Sequence, residues 1–298
     1  MDCRVIIVKI IFLVKKMQST VQPIYNGGSA AGGFASKHEQ GPASVPMLKR
    51  QDFETELMYE AYCGNKDRVR LLLEKEARKK SKDEKTALMY AAYNGKENCV
   101  ALLLEKEGCT KDSYGWTALM WAVSTNRVDC ARVLLEKEAC MKDNNGETAL
   151  MKAARYGNKD CVKLLIEKET CITDSRGWTA LIYAAYNGNR ECVGALLEKE
   201  KGMKDSYGWT ALIYASSNGK ESCVELLSEK ESGVQDNSGW SALMWAACNG
   251  KVGCVKLLAK KEKTLRATRD YDGFPSGMTA LDIAKRKGRN EIVDILSG

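Results

Sequence analysis

From about residue 47 to the C-terminus, short apolar stretches recur among polar ones on a fixed period. Thr-Ala-Leu begins at Thr86, Thr117, Thr148, Thr179 and Thr210, and Ser-Ala-Leu at Ser241, in steps of 31 residues. One step back stands Thr55, opening TELMYEAYCG. Thr279 lies 38 residues beyond Ser241, after a seven-residue insertion, and opens TALDIAKRKG. That makes eight copies, and self-similarity at such a period marks a stacked array.

The stretch 112–140, DSYGWTALMWAVSTNRVDCARVLLEKEAC, shows how one copy reads. Thr117 is an N-cap, whose hydroxyl can accept from an orphan amide. Leu119, Met120, Ala122 and Val123 follow at helical spacing. Nine residues after the Thr, the other copies place Gly64, Gly95, Gly157, Gly188, Gly219, Gly250 and Gly288, where a left-handed residue ends the helix. Asn126 takes that position here. A second helix carries Cys130, Val133, Leu134 and Leu135 on its apolar side and closes on Glu-Lys-Glu. An Asp-x-x-Gly turn then leads to the next copy, as at Asp143–Gly146 and Asp174–Gly177. Two short helices cannot bury their apolar faces alone, so neighbours must stack, and Ala91, Ala92, Ala184 and Ala185 permit close approach.

Residues 1–46 differ. An apolar run from Val5 to Val14, broken by Lys9, is too short to span a bilayer. It compares with a signal peptide without a clear cleavage site, with a membrane-surface anchor, or with sequence upstream of a true start at Met17. Gly, Ala, Ser and Pro dominate 18–46, so 1–46 is expected as a disordered leader and linker. The net charge is +7, of which residues 1–50 carry +5 and the rest +2. A body so nearly neutral argues against phosphate-backbone binding.

The one histidine, His38, leaves no material for His-based zinc sites or triads. No glycine-rich nucleotide loop is present. Cys99, Cys130, Cys161, Cys192, Cys223 and Cys254 recur thirteen residues after the Thr or Ser, with Cys109, Cys140 and Cys171 ten residues further on. Stacked helices set such positions ~8–10 Å apart, beyond disulfide reach. Small buried hydrophobes are expected rather than a metal or redox ladder, and unpaired thiols suit a reducing, cytoplasmic setting. The repeated Glu-Lys-Glu triplets, such as Glu105–Glu107 and Glu198–Glu200, are expected as a solvated edge. Glu60 and the run Lys285, Arg286, Lys287 and Arg289 are expected as polar outer caps, with contact to an acidic partner or nucleic acid as the alternative for the basic run.

TALMYAAYNG at 86–95, TALIYAAYNG at 179–188 and SALMWAACNG at 241–250 resemble the ankyrin repeat, over about residues 47–298. Ala replaces that family's Pro, as at Ala87. Met or Ile replaces its His, as at Met89 and Ile182. The unit is two residues shorter, apparently in the hairpin between repeats. The resemblance implies an all-α solenoid of about eight stacked helix-turn-helix units over 47–298, without catalysis, metal or cofactor. It further implies that the turn tip, the residue before the Thr and the end of the first helix line a concave surface. Tyr114, Trp116, Arg155, Tyr156, Arg176, Trp178, Tyr186, Tyr207, Trp209 and Trp240 would then face a protein partner. Against this stands ring packing from finger to finger. The expected function is a monomeric, cytoplasmic scaffold or adaptor, with cytoskeletal association as one form of it. The alternatives are a subunit regulating an enzyme in trans, or a tethered binder if residues 1–16 are an anchor. Neither nucleic acid nor membrane is otherwise expected as a partner.

Overall fold

The computed structural model describes residues 49–298. The leader expected at 1–46 lies outside them. Within them, sixteen α-helices form eight pairs, preceded by a short 3-10 turn at Arg50–Asp52. The first helices begin one residue after each Thr or Ser, from Glu56–Cys63 and Ala87–Tyr93 to Ala280–Arg286. The second helices run from Lys66–Glu76 and Glu97–Glu107 to Asn290–Ser297. Each helix packs on its partner and on the equivalent helix of each adjacent repeat. The core is a continuous line of fully buried residues such as Leu150, Ala153, Ala154, Cys161, Val162 and Leu165.

Local chemistry sets these boundaries. The hydroxyls of Thr55, Thr117, Thr179, Thr210, Ser241 and Thr279 accept from the amide three residues on. Gly157 and Gly188 end their helices at φ 75° and 85°, and Asn126 adopts φ 56°.

The Glu-Lys-Glu triplets are not simply a solvated edge. Their last glutamates, Glu107, Glu138, Glu169, Glu200 and Glu231, and the equivalent Glu262 of a Lys-Lys-Glu triplet, are each about 1% exposed. Glu200 Oε2 accepts from the amide of Leu181 in its own repeat at 2.7 Å. Its Oε1 accepts from the amide of Cys171, in the turn leading in from the preceding repeat, at 3.0 Å. The pattern recurs in all six, with Glu138 bonding Leu119 and Cys109, and Glu262 bonding Leu243 and Gly233. Only the first glutamates fit the sequence expectation. Glu105, Glu136 and Glu167 are exposed and pair with Lys137, Lys168 and Lys199 of the next repeat at 2.8–3.4 Å. Such surface pairs contribute little stability.

Cys99, Cys130, Cys161, Cys192, Cys223 and Cys254 are buried and free. Burial pushes the Cys130 and Cys192 thiols up to about 11 and those of Cys161 and Cys254 to about 12. The second set departs from the expectation of core residues. Cys109, Cys140 and Cys171 are exposed and held at φ 62–64°, where later repeats have Gly202 and Gly233. Their thiols donate to the carbonyls of Lys137, Lys168 and Lys199 at 3.3–3.5 Å. Glu60, expected as an outer polar residue, is instead 7% exposed and held by Asn65 and Arg68.

The buried glutamates give a test. Desolvation raises the Glu200 carboxyl above its ordinary value, although the Leu181 and Cys171 amides pull the other way. Hydrogen bonds from Lys201 and Lys230 hold the exposed Glu198 below it. A folded value above the unfolded one means that folding takes up protons through Glu200. Its contribution to stability is then complete below the unfolded value and declines as pH rises through the folded one. Carboxyl-carbon NMR titration should place Glu200 above Glu198; the reverse order would contradict the burial. Glu200→Ala orphans the buried Leu181 amide and the part-buried Cys171 amide and should cost about 2–5 kcal/mol in denaturant unfolding.

Candidate functional site

The fingers between repeats are built on the Asp of Asp-x-x-Gly. Asp112 Oδ1 accepts from the amides of Tyr114 and Trp116 at 2.9 Å, and the Asp112 amide donates to the Trp116 carbonyl at 3.0 Å. Gly115 has φ 79°, and a Cβ there would strike the Asn144 amide of the next finger. Each finger is joined to the next by a backbone bond, as from Asn144 to Tyr114 (3.2 Å), Ser175 to Asn145 (3.1 Å) and Ser206 to Arg176 (3.2 Å). Among the described residues no strand forms, only two isolated bridges. The shortened unit thus makes a tight turn in place of an extended hairpin.

The second oxygen of each Asp ties the finger to the first helix. Asp112 takes Trp121 Nε1 at 3.0 Å, Asp205 takes the Tyr214 hydroxyl at 2.6 Å and Asp236 takes Trp245 Nε1 at 2.9 Å. These donors, nine residues after the Asp, pack against the Trp that precedes the Thr or Ser. Trp178 lies 5.0 Å from Tyr183, 5.3 Å from Tyr186 and 4.6 Å from Tyr214. Trp209 lies 4.8 Å from Tyr214 and 4.5 Å from Trp245. The insertion completes the row, with Tyr271 and Phe274 at 5.4 and 5.3 Å from Trp240. Pairs in this geometry are worth ~0.5–1.5 kcal/mol beyond their burial.

One repeat breaks the aromatic row. Glu147 stands at the Trp position and Lys152 at the donor position. Both are buried, and Lys152 Nζ lies 2.7 Å from Asp143 and 2.5 Å from Glu147. The Lys152 ammonium sits over Trp116 at 4.4 Å, and the Arg155 guanidinium over Tyr183 at 4.5 Å. Glu147 also takes Arg155 at 2.5 Å and the Tyr183 hydroxyl at 2.7 Å. Arg176 donates to that hydroxyl at 2.7 Å. Burial opposes ionisation of Glu147, but Lys152 and Arg155 outweigh it and hold the carboxyl below its ordinary value. Asp143, Glu147 and Asp174 balance Lys152, Arg155 and Arg176, so the cluster is electrically neutral. In the sequence Glu147 already marks a copy whose Trp position is polar, and Lys152 breaks the same aromatic register five residues on.

The ten residues expected to face a partner fall into three groups. Tyr114 and Tyr207 stand at fingertips, 37% and 52% exposed. Trp116, Trp209, Tyr156, Tyr186, Arg155 and Arg176 are half-buried. Trp178 and Trp240 are enclosed in the ring stack, 8% and 1% exposed. Those two pack finger against finger and offer little surface.

Among the described residues no group of His, Cys, Asp or Glu could hold a metal ion, and no helix is long and apolar enough to cross a membrane. The sequence profile for ankyrin repeats (3 copies) matches residues 57–145, 136–205, 169–237, 198–268 and 229–298. The chain therefore belongs to the ankyrin-repeat family. The crystal structure of the ankyrin repeat domain of Bcl-3, described as a unique member of the IkappaB protein family, is similar at a TM-score of 0.61 and 25% identity. The match covers 73% of this chain and 100% of that one. No curated protein matches the sequence.

The charged cluster makes a stability prediction. Lys152→Met leaves Asp143 buried without a cation and Glu147 with Arg155 alone, and should cost about 3–5 kcal/mol in chemical unfolding. The triple variant E147W/K152Y/R155Y replaces the cluster with residues used at the same positions elsewhere, and should recover wild-type stability within about 1 kcal/mol or exceed it. A neutral Lys152→Met would show that the ammonium is not needed there.

Proposed function

We propose that the chain is a non-catalytic scaffold or adaptor that binds a partner protein on the face formed by its fingers and first helices. The carrying observation is the exposure of Tyr114 and Tyr207 on turns fixed by Asp112 and Asp205. Beside them lie the half-buried Trp116, Trp209 and Tyr186, together with Arg176, whose guanidinium stacks on Trp178 at 4.3 Å. Rigid tyrosines offer large contact area at low entropy cost, and Tyr, Trp and Arg are the usual anchors of protein interfaces. Membership of a family of helical repeats with extended binding surfaces supports the same reading.

Affinity purification with the full chain, followed by mass spectrometry, would supply the partner. Tyr114→Ala with Tyr207→Ala should then weaken binding of the purified partner roughly thirtyfold or more, given ~2 kcal/mol for an anchor. The melting midpoint and helical circular dichroism should stay at wild-type values. Unchanged affinity in this variant would move the interface off the fingertips.

A further inference from the structure

The last repeat and the insertion before it carry more positive charge than the acidic groups beside it offset. Where other repeats have Ala154 or Ala185, then Tyr186 or Ser217, then Asn187 or Asn218, the last has Lys285, Arg286 and Lys287. Arg289 follows, and Arg266 and Arg269 come from the insertion. All are exposed except the half-buried Lys287. Among the described residues none of the six forms an ion pair; in this region Lys256 pairs with Glu291 instead. Two other carboxylates are engaged by the backbone. Asp282 accepts from the Thr279 amide and hydroxyl at 2.9 and 2.8 Å, and Asp270 from the Ser276 amide at 2.7 Å. Those bonds leave both carboxylates charged, and the Thr279 hydrogen bonds, with Lys285 and Arg266 nearby, hold the Asp282 carboxyl below its ordinary value. Asp270, Asp282 and the exposed Asp272 thus stand against six cations.

Arg286 and Lys287 each lie 5.2 Å from the centre of the Phe274 ring, so two like charges stand no more than about 10 Å apart. That bound is comparable with the Debye length of about 8 Å at physiological salt, so their repulsion is only partly screened. An anion seated between them would relieve it. A polar cap explains Lys285, which stands where inner repeats bury an alanine against a neighbour. It does not explain Arg286 and Lys287, whose equivalents Tyr186 and Asn187 lie at the first-helix end, on the face proposed for binding.

We infer that this corner docks an acidic stretch of a protein partner. The inference deepens the reading above by giving the partner a charge, and it can fail separately from it. Six clustered cations suit a short run of carboxylates, with which Arg and Lys make charge-assisted hydrogen bonds. A nucleic acid would need a longer basic track than a body of net charge +2 provides over residues 51–298.

The test uses the full chain with three labelled probes: a short peptide of alternating Asp and Glu, a Lys peptide of equal length and a single-stranded oligonucleotide. The acidic peptide should bind, and bind more weakly as salt is raised. Lys285→Glu with Arg286→Glu and Lys287→Glu should weaken it at least about tenfold. The milder Arg286→Gln with Lys287→Gln should weaken it less, guarding against a folding defect. A control, Lys66→Glu with Lys163→Glu on exposed second-helix positions, should leave it unchanged. Tyr114→Ala with Tyr207→Ala should bind the acidic peptide normally, which separates this inference from the fingertip reading. Absence of acidic-peptide binding, an equal loss in the control, or tighter binding of the oligonucleotide would overturn it.

Discussion

The stack depends on a carboxylate that bridges two repeats from inside. Each first helix begins with amides that have no partner within the helix. The Thr or Ser hydroxyl takes one of them in most repeats. The buried glutamate takes the next, at Leu88, Leu119, Leu150, Leu181, Leu212 or Leu243. Its other oxygen reaches back to the turn of the preceding repeat. One side chain therefore satisfies a buried donor in its own repeat and a part-buried one in the repeat before. The geometry works only if glutamate, leucine and turn keep their spacing, so it pins the repeat length as well as the cap. The last repeat solves the same problem locally, with Asp282 closing a capping box on Thr279.

A second constraint governs the fingers. The Asp oxygen that faces the first helix must meet a donor, because it is buried. Trp121, Tyr183, Tyr214 and Trp245 donate a hydrogen bond to it, and Lys152 meets it as an ion pair at 2.7 Å. These residues differ in size, charge and hydrophobicity, and the N–H or O–H is what they share. The lysine is thus a variant of the same joint and not an intrusion into it. Glu147 at the neighbouring Trp position gives that buried ammonium a second carboxylate at 2.5 Å.

Much of this was legible in the sequence. Thr at the helix start and Gly nine residues later locate both ends of the first helix, because each residue has a local physical role there. The triplet glutamates were misread because repetition was weighed in place of direction. Two residues along a helix is a rotation of about 200°, so Glu198 and Glu200 must face opposite ways. Glu200 follows Leu196 by four and Leu197 by three, which puts it on their buried side. Cys109, Cys140 and Cys171 were grouped with core cysteines because residue type conceals backbone conformation. The equivalents Gly202 and Gly233 carried the signal for a left-handed turn. The enclosure of Trp240 could not be read from its own repeat, since Tyr271 and Phe274 arrive from the irregular insertion.

The division between scaffold and surface follows from these two joints. Between the Asp and the Gly of each turn stand two residues, such as Ser113 and Tyr114 or Ser206 and Tyr207. The Asp oxygen holds the second of these by its backbone amide, as it does Tyr114, Asn145, Arg176, Tyr207 and Ser238, and at Arg176 the guanidinium also donates to the other oxygen of Asp174 at 3.3 Å. A bond to an amide is indifferent to the side chain it carries. The fold therefore fixes where the fingertip side chain stands without specifying its chemistry. An aromatic, an amide, a cation and a hydroxyl occupy one geometry in successive repeats. A protein built this way can change what it recognises at the tips while its caps, its buried carboxylates and its core remain as they are.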